Sequence, residues 1–247
     1  MTANQFYVPA IAEGSDRIVL TGDEHRHLAR AARVRTGESV WLIDAAGRRA
    51  LALVERVGEE ATELAVLERM EPEGPRTRLA LAQALVEAKK LEFIIEKAAE
   101  LGCAEVVPVT TARSVRAARE REDRKLERWT RIVREAAKQC KGRLVTAVRP
   151  PRSLQALLRE PAAGPRLFLS EHGGRPLRDI VAGPVAAADG PPGAVVLLVG
   201  PKGGWTAGEE KDIRAAGFLA VSLGRRILRA ETAAVAAAAM ILHFWDE

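Results

Sequence analysis

Ala194-Val-Val-Leu-Leu-Val-Gly-Pro-Lys-Gly-Gly-Trp-Thr-Ala-Gly-Glu209 reads as a short apolar strand, a glycine loop and the start of a helix. The run Ala194 to Val199 has strand length, and Gly200 to Gly204 breaks it. Thr206 and Glu209 stand at capping-box spacing, so a helix opens there and both residues are read as structural. The same alternation recurs on either side. Upstream lie strands at Leu79 to Leu85, Glu105 to Val109, Leu144 to Val148 and Arg166 to Leu169. Leu91, Ile94, Ile95, Ala98 and Leu101 form one helical face that Gly102 ends, and Leu126, Trp129, Val133, Ala136, Ala137 and Cys140 form another. Downstream come a strand at Leu219 to Leu223 and a last helix, Glu231 to Trp245. Strands alternating with helices predict an α/β domain with a mostly parallel sheet.

Glu71-Pro-Glu-Gly-Pro75 punctuates the chain and marks a domain boundary, giving residues 1–72 and 73–247. Before it, short alternating strands run Arg17 to Leu20, Ser39 to Asp44, Arg49 to Val57 and Thr62 to Glu68, with one helix from Asp23 to Val34. This predicts a small β-barrel-like domain. The first residues lack a basic segment followed by an apolar one, so no secretory signal is expected. The apolar stretch from Ala233 to Trp245 is too short to span a bilayer, and the protein is expected to be cytoplasmic. Cys103 and Cys140 lie far apart, and the four histidines show no ligand spacing with them or with carboxylates, so no metal is expected. The net charge is only +5, but residues 113–152 carry 14 Lys/Arg against 5 Asp/Glu. Such a cluster suits a phosphate backbone, and equally a solvated helix face.

Three glycine-bearing loops follow predicted strands: Ser170-Glu-His-Gly-Gly174, Gly200-Pro-Lys-Gly-Gly204 and Leu223-Gly-Arg-Arg-Ile-Leu228. In a parallel sheet all three leave the same edge, beyond which ligands bind. Glycine lets a ligand approach main-chain groups closely. No GxGxxG dinucleotide pattern and no GxxxxGK[ST] phosphate loop is present.

Gly200-Pro-Lys-Gly-Gly-Trp-Thr-Ala-Gly-Glu209 resembles the GPEGG(F)S..E loop of the RsmE ribosomal RNA methyltransferases, of the SPOUT superfamily. Leu223-Gly-Arg-Arg-Ile-Leu-Arg-Ala-Glu-Thr-Ala233 resembles that family's LG..ILR.ETA loop. Glu87 to Gly102 looks like the first helix of its catalytic domain, and Arg113-Ser-Val115 with Ala136-Ala-Lys-Gln139 like the following basic segment. His27 and Arg33 to Gly37 resemble the H…LR…G signature of a PUA-like N-terminal domain. Lys202 stands where the family has Glu, Ala230 where Thr is common, and Cys140-Lys-Gly-Arg143 where Ser and a close Arg are usual. The resemblance implies a C-terminal trefoil knot, S-adenosyl-L-methionine bound in it, and a homodimer. It also implies methylation of N3 of one uridine, position 1498 in the family's usual numbering, in 16S rRNA of the small ribosomal subunit.

For the cofactor the resemblance points to Leu169, Ser170, Glu171, Val199, Gly200, Pro201, Gly203, Gly204, Leu223, Gly224, Ile227, Leu228, Thr232 and Ala233. Methylation at uracil N3 needs loss of its proton and stabilisation of charge on the ring oxygens, which favours the fixed donors of arginine. Arg229 is the catalytic candidate, with Glu231 orienting it or moving the proton; otherwise Glu231 and Thr232 cap the last helix. For RNA the candidates are Arg26, Arg30 and Arg33, spaced along one helix face, with His27, Arg113, Arg116, Arg134, Lys138, Lys141 and Arg143. The competing readings are a catalytically silent RNA-binding module of ribosome assembly and, more remotely, a nucleotide-dependent dehydrogenase or kinase.

Overall fold

The computed structural model describes residues 4–70, 75–115, 122–140, 145–161, 163–183 and 190–245. The chain divides into two compact units, Met1–Gly74 with Arg134–Val145, and Pro75–Val133 with Thr146–Glu247. Residues 134–145 thus group with the first unit, where local patterning had assigned them to the second. The contacts responsible are long-range in sequence: Gln5 Nε2 donates to the Ala137 carbonyl at 3.2 Å, and Lys138 Nζ reaches Glu24 Oε1 at 2.8 Å.

The first unit contains strands β1 (Gln5–Tyr7) and β2 (Arg17–Thr21), helix α1 (Gly22–Arg26), and strands β3 (Ser39–Ile43), β4 (Arg49–Val57) and β5 (Ala61–Met70). They form one sheet in the order β1-β3-β4-β5-β2, in which only the β1–β3 pair is parallel. The path ends on β1 and β2. Among the described residues no ladder joins β1 to β2. Alternate residues Val40, Leu42, Ala50, Ala52, Val54 and Leu64 fill its core with Phe6 and Leu28. The predicted single helix is shorter than its pattern. After α1 the backbone widens to i→i+5 bonding over His27–Ala31, and Arg33 follows at φ 53°.

The second unit begins with β6 (Arg78–Ala84), α2 (Ala88–Leu101), β7 (Glu105–Thr110) and α3 (Glu122–Cys140), whose last turns belong to the first unit. There follow β8 (Ala147–Val148), β9 (Arg152–Ser153), α4 (Leu154–Arg159), β10 (Arg166–Leu169), β11 (Arg175–Pro176) and α5 (Leu177–Val181). The unit closes with β12 (Ala194–Val199), α6 (Ala207–Ala215), β13 (Leu219–Ser222) and α7 (Ala230–Trp245). Every ladder is parallel, in the order β11-β13-β10-β12-β6-β7-β8. From β6 the chain first builds outward through β7, then crosses to the other side and inserts β12 between β10 and β6. Helices cover both faces, which explains the unbroken apolar run of β12: Leu197 and Leu198 point to opposite faces, and both are fully buried.

One face holds Phe168, Leu198, Ile213 and Phe218 in a common cluster. On the other, α7 lies against α2, α5, β6 and β12, and its alanines Ala234, Ala237 and Ala238 are buried without residue. Small side chains let the helix sit close to the strands. Its end is pinned by Trp245 Nε1 donating to the Val181 carbonyl at 3.0 Å and by Thr77 Oγ1 donating to the Trp245 carbonyl at 3.1 Å. Truncating the fully buried Phe168 to alanine should destabilise the protein by about 3–5 kcal/mol in urea unfolding, because the strand on either side holds the cavity open.

Candidate active site

Beyond the carboxyl ends of β6, β10, β12 and β13 lies a cleft of about 700 Å³. A volume of this size suits a small-molecule ligand. Its position also follows the rule for open parallel sheets, since neighbouring strands here are reached by connections running in opposite directions.

The middle loop, Gly200 to Trp205, makes the floor. A side chain on Gly200 would begin 3.1 Å from the Trp205 ring, so glycine is what lets the indole come this close to the backbone. Trp205 Nε1 donates to the Leu169 carbonyl at 2.9 Å, tying this loop to the end of β10. Gly204 adopts φ +66° and its N–H donates to the Pro201 carbonyl at 3.0 Å, closing a tight turn. The predicted capping box is present: the Thr206 side chain accepts from Glu209 N, and the Glu209 carboxylate accepts from Thr206 N. In the first loop a Cβ on Gly174 would sit 2.6 Å from the Val221 carbonyl carbon, so only glycine allows β11 to approach β13. Ser170 Oγ bonds Glu210 at 3.1 Å; the Arg214 guanidinium at 2.8 Å, with this hydroxyl, holds the Glu210 carboxyl below its ordinary pKa despite partial desolvation.

Of the residues expected to hold a cofactor, Leu169, Ser170, Glu171, Val199, Gly200, Pro201, Gly204, Leu223, Gly224, Ile227, Leu228 and Ala233 line this cleft. Gly203 and Thr232 do not. Gly203 instead faces the stem of Arg113, whose Cβ is 3.4 Å from the position a Cβ would take, and Thr232 is exposed on α7. Arg229 and Glu231 both line the cleft, and Glu231 Oε1 lies 3.6 Å from Lys90 Nζ at the start of α2. Lys90, the segment Leu85-Val86-Glu87 and Val115 also line it, and sequence reasoning missed them. The signal was available for Val86 and Glu87, which directly follow a predicted strand. Six cations (Lys90, Arg113, Lys202, Arg225, Arg226, Arg229) face three carboxylates (Glu87, Glu171, Glu231) around the opening.

The residues proposed for RNA are less united. Arg26 ends α1, Arg30 lies in the widened turn and Arg33 follows it in a left-handed conformation, and all three are exposed. Arg26 is also paired with Asp23. The His27 ring packs edge-on against Phe6, with ring centroids 5.5 Å apart. Arg134 stacks on Tyr7, with its guanidinium carbon 4.4 Å from the ring centroid. Lys138 is buried between Glu24 and Glu135; burial works against its charge, but the two carboxylates outweigh it and raise its pKa. It is a structural ion pair and not an exposed phosphate contact. Arg113 Nη1 donates to the Gly203 and Trp205 carbonyls at 2.9 and 3.3 Å. Arg116, Lys141 and Arg143 lie outside the described residues.

Residues 72–242 match the family model for the RNA methyltransferase domain, which sets the class to which this fold and cleft belong. The chain is 34% identical, over its whole length and 95% of the relative, to ribosomal RNA small subunit methyltransferase E of Mycobacterium bovis. It is 30% identical to the enzyme of the same name from Bacillus subtilis, over 91% of this chain and 89% of that one. A ribosomal RNA small subunit methyltransferase E from Neisseria gonorrhoeae, solved bound to S-adenosyl methionine, superposes with a TM-score of 0.85 at 30% identity, covering 98% of each chain. The chain belongs to the ribosomal RNA small subunit methyltransferase E (RsmE) family.

Proposed function

We propose that this protein uses S-adenosyl-L-methionine to methylate N3 of a single uridine of 16S rRNA, position 1498 in the family's usual numbering. The observation that carries the proposal is the single cleft joining both family loops, Gly200 to Gly204 and Leu223 to Ala233, with Arg229 and Glu231 on its wall. The residues present fit the cofactor. Glycine backbone at positions 200, 204 and 224 leaves main-chain groups open to an adenosine, Trp205 and Leu228 supply apolar walls, and the volume is adequate. When bound, the cofactor supplies an electrophilic methyl group on a positively charged sulfur.

The chain's own residues then have two tasks. Arg229 donates hydrogen bonds to a uracil oxygen, where negative charge builds as N3 loses its proton. Glu231 takes or relays that proton, and Lys90, at 3.6 Å, holds its carboxylate toward the cleft. The first unit acts as a PUA-like RNA-binding module. Recognition of a structured target by shape and splayed bases suits RNA. The second unit carries the trefoil knot of the SPOUT superfamily; the insertion of β12 between β10 and β6 supports this reading. A homodimer is supported by Phe93 and Phe244, which stay exposed on the mutually packed helices α2 and α7. Among the described residues no helix is long and apolar enough to cross a membrane, in keeping with a cytoplasmic role on the small subunit or its rRNA.

Titration calorimetry with S-adenosylmethionine, followed by mapping of the methylated base on purified small subunits, tests the proposal. Micromolar binding and a single N3-methyluridine are expected. A wild type that binds no cofactor would overturn the enzyme reading and leave an RNA-binding assembly module. Methylation at another base or atom would overturn the site assignment alone.

A further inference from the structure

Arg113 belongs to the basic segment, and its residue type alone suggests a phosphate contact. Its surroundings assign it other work. The segment Thr111 to Val115 directly follows β7 and is fixed by its own turn: Thr111 N donates to Ser114 Oγ at 3.0 Å, and Ser114 Oγ donates to the Thr111 carbonyl at 3.0 Å. Val115 N then donates to the Leu85 carbonyl at 3.1 Å, which seats the segment on the residues that follow β6. From this anchored position the Arg113 guanidinium donates to two carbonyls of the middle loop, those of Gly203 at 2.9 Å and Trp205 at 3.3 Å. Its aliphatic stem lies alongside Gly203, with Cδ 3.5 Å from where a Cβ on that glycine would be.

The neighbouring residue reinforces the clamp. Ala112 N donates to Glu209 Oε1 at 2.7 Å, while Glu209 Oε2 accepts from Thr206 N and Oγ1 at 2.9 Å each. One carboxylate therefore serves the helix cap and the 111–115 segment together. The peptide between Gly203 and Gly204 is held at both ends, its carbonyl by Arg113 and its N–H by the Pro201 carbonyl. Because a peptide unit is planar, holding both ends fixes its orientation. The Trp205 carbonyl is held by the same guanidinium while its indole is tied to Leu169.

We propose that Arg113 is a positioning residue for the cofactor loop, keeping the Gly200–Trp205 turn in its binding shape before any ligand arrives. This inference rests on the reading of the cleft as the S-adenosylmethionine site. Preorganisation of this kind lowers the ordering cost of binding, so its loss falls on cofactor affinity. A phosphate contact would act differently, reducing the dependence of RNA binding on salt by about one unit of slope.

The test compares wild type, Arg113→Ala and Arg113→Lys by calorimetry with S-adenosylmethionine, by the salt dependence of rRNA binding, and by thermal melting. Arg113→Ala should weaken cofactor binding about tenfold, the loss expected when charge-assisted hydrogen bonds are removed, with an unchanged salt slope for rRNA. Arg113→Lys keeps the charge with a single ammonium in place of the fork, and should recover part of the cofactor affinity with the same salt slope. Should Arg113→Ala melt early, Arg113→Lys decides alone. Cofactor affinity equal to wild type in a folded variant overturns the proposal, as does a reduced salt slope with cofactor binding intact. If the wild type itself binds no cofactor, the reading of the cleft fails first, and that failure is visible before any variant is compared.

Discussion

Replacing Arg229 with alanine is expected to slow methyl transfer to rRNA by roughly 10²–10³-fold while S-adenosylmethionine still binds. The size follows from removing one fixed donor from the place where charge develops, an interaction made in the transition state and scarcely at all in the ground state. The fold should tolerate the change. Arg229 contributes to α7 through its carbonyl, which accepts from Ala233 N at 2.8 Å, and alanine keeps that bond. Its side chain is exposed on the cleft wall and fills no core. Arg229→Lys should restore only a small part of the rate, since an ammonium lacks the planar fork. Single-turnover methylation and calorimetry on the same preparations separate the outcomes. A rate near wild type would remove Arg229 from the chemistry, and a parallel collapse of cofactor affinity would make it a binding residue instead.

Gly200→Val should abolish measurable cofactor binding, a loss of at least about 100-fold, with the fold retained. The Cβ alone would sit 3.1 Å from Trp205 Cε2 and 3.3 Å from Cζ2, closer than the ring can accept without moving. The ring cannot move cheaply, because its Nε1 is bonded to the Leu169 carbonyl at 2.9 Å. Either the indole swings into the cleft or the loop backbone lifts away, and both destroy the floor of the site. Gly200→Ala should show the same effect at smaller size. The damage stays local because the loop lies beyond the end of β12, whose buried ladders to β6 and β10 are untouched. Calorimetry and urea unfolding check it together: normal binding by Gly200→Val would mean that the cofactor does not use this floor.

Local chemistry made much of the second unit legible. The apolar runs of β10 and β12, the amphipathic face of α2 with its left-handed stop at Gly102, and the Thr206–Glu209 box all appear where the pattern put them. The glycine loops were legible for the same reason. They follow strands, and strands in a parallel sheet end on one edge. Less was legible where turns deform. The expected helix over Asp23 to Val34 becomes α1 and a widened turn, so Arg26, Arg30 and Arg33 do not lie along one regular helix. Lys138 looked like one more exposed cation, and only folding placed two carboxylates around it.

By itself, the sequence determined the α/β class and the edge of the sheet where a site must lie, and the resemblance of two loops pointed to the family. These are properties of short windows, set by periodicity, turn chemistry and residue type. Tertiary structure alone decided the strand order that inserts β12 between β10 and β6, and the transfer of residues 134–145 to the first unit. It also brought Lys90 to Glu231 across 141 positions of chain and turned Arg113 toward the loop carbonyls. Such pairings come from packing whole elements against one another, and no local pattern encodes which distant groups will meet.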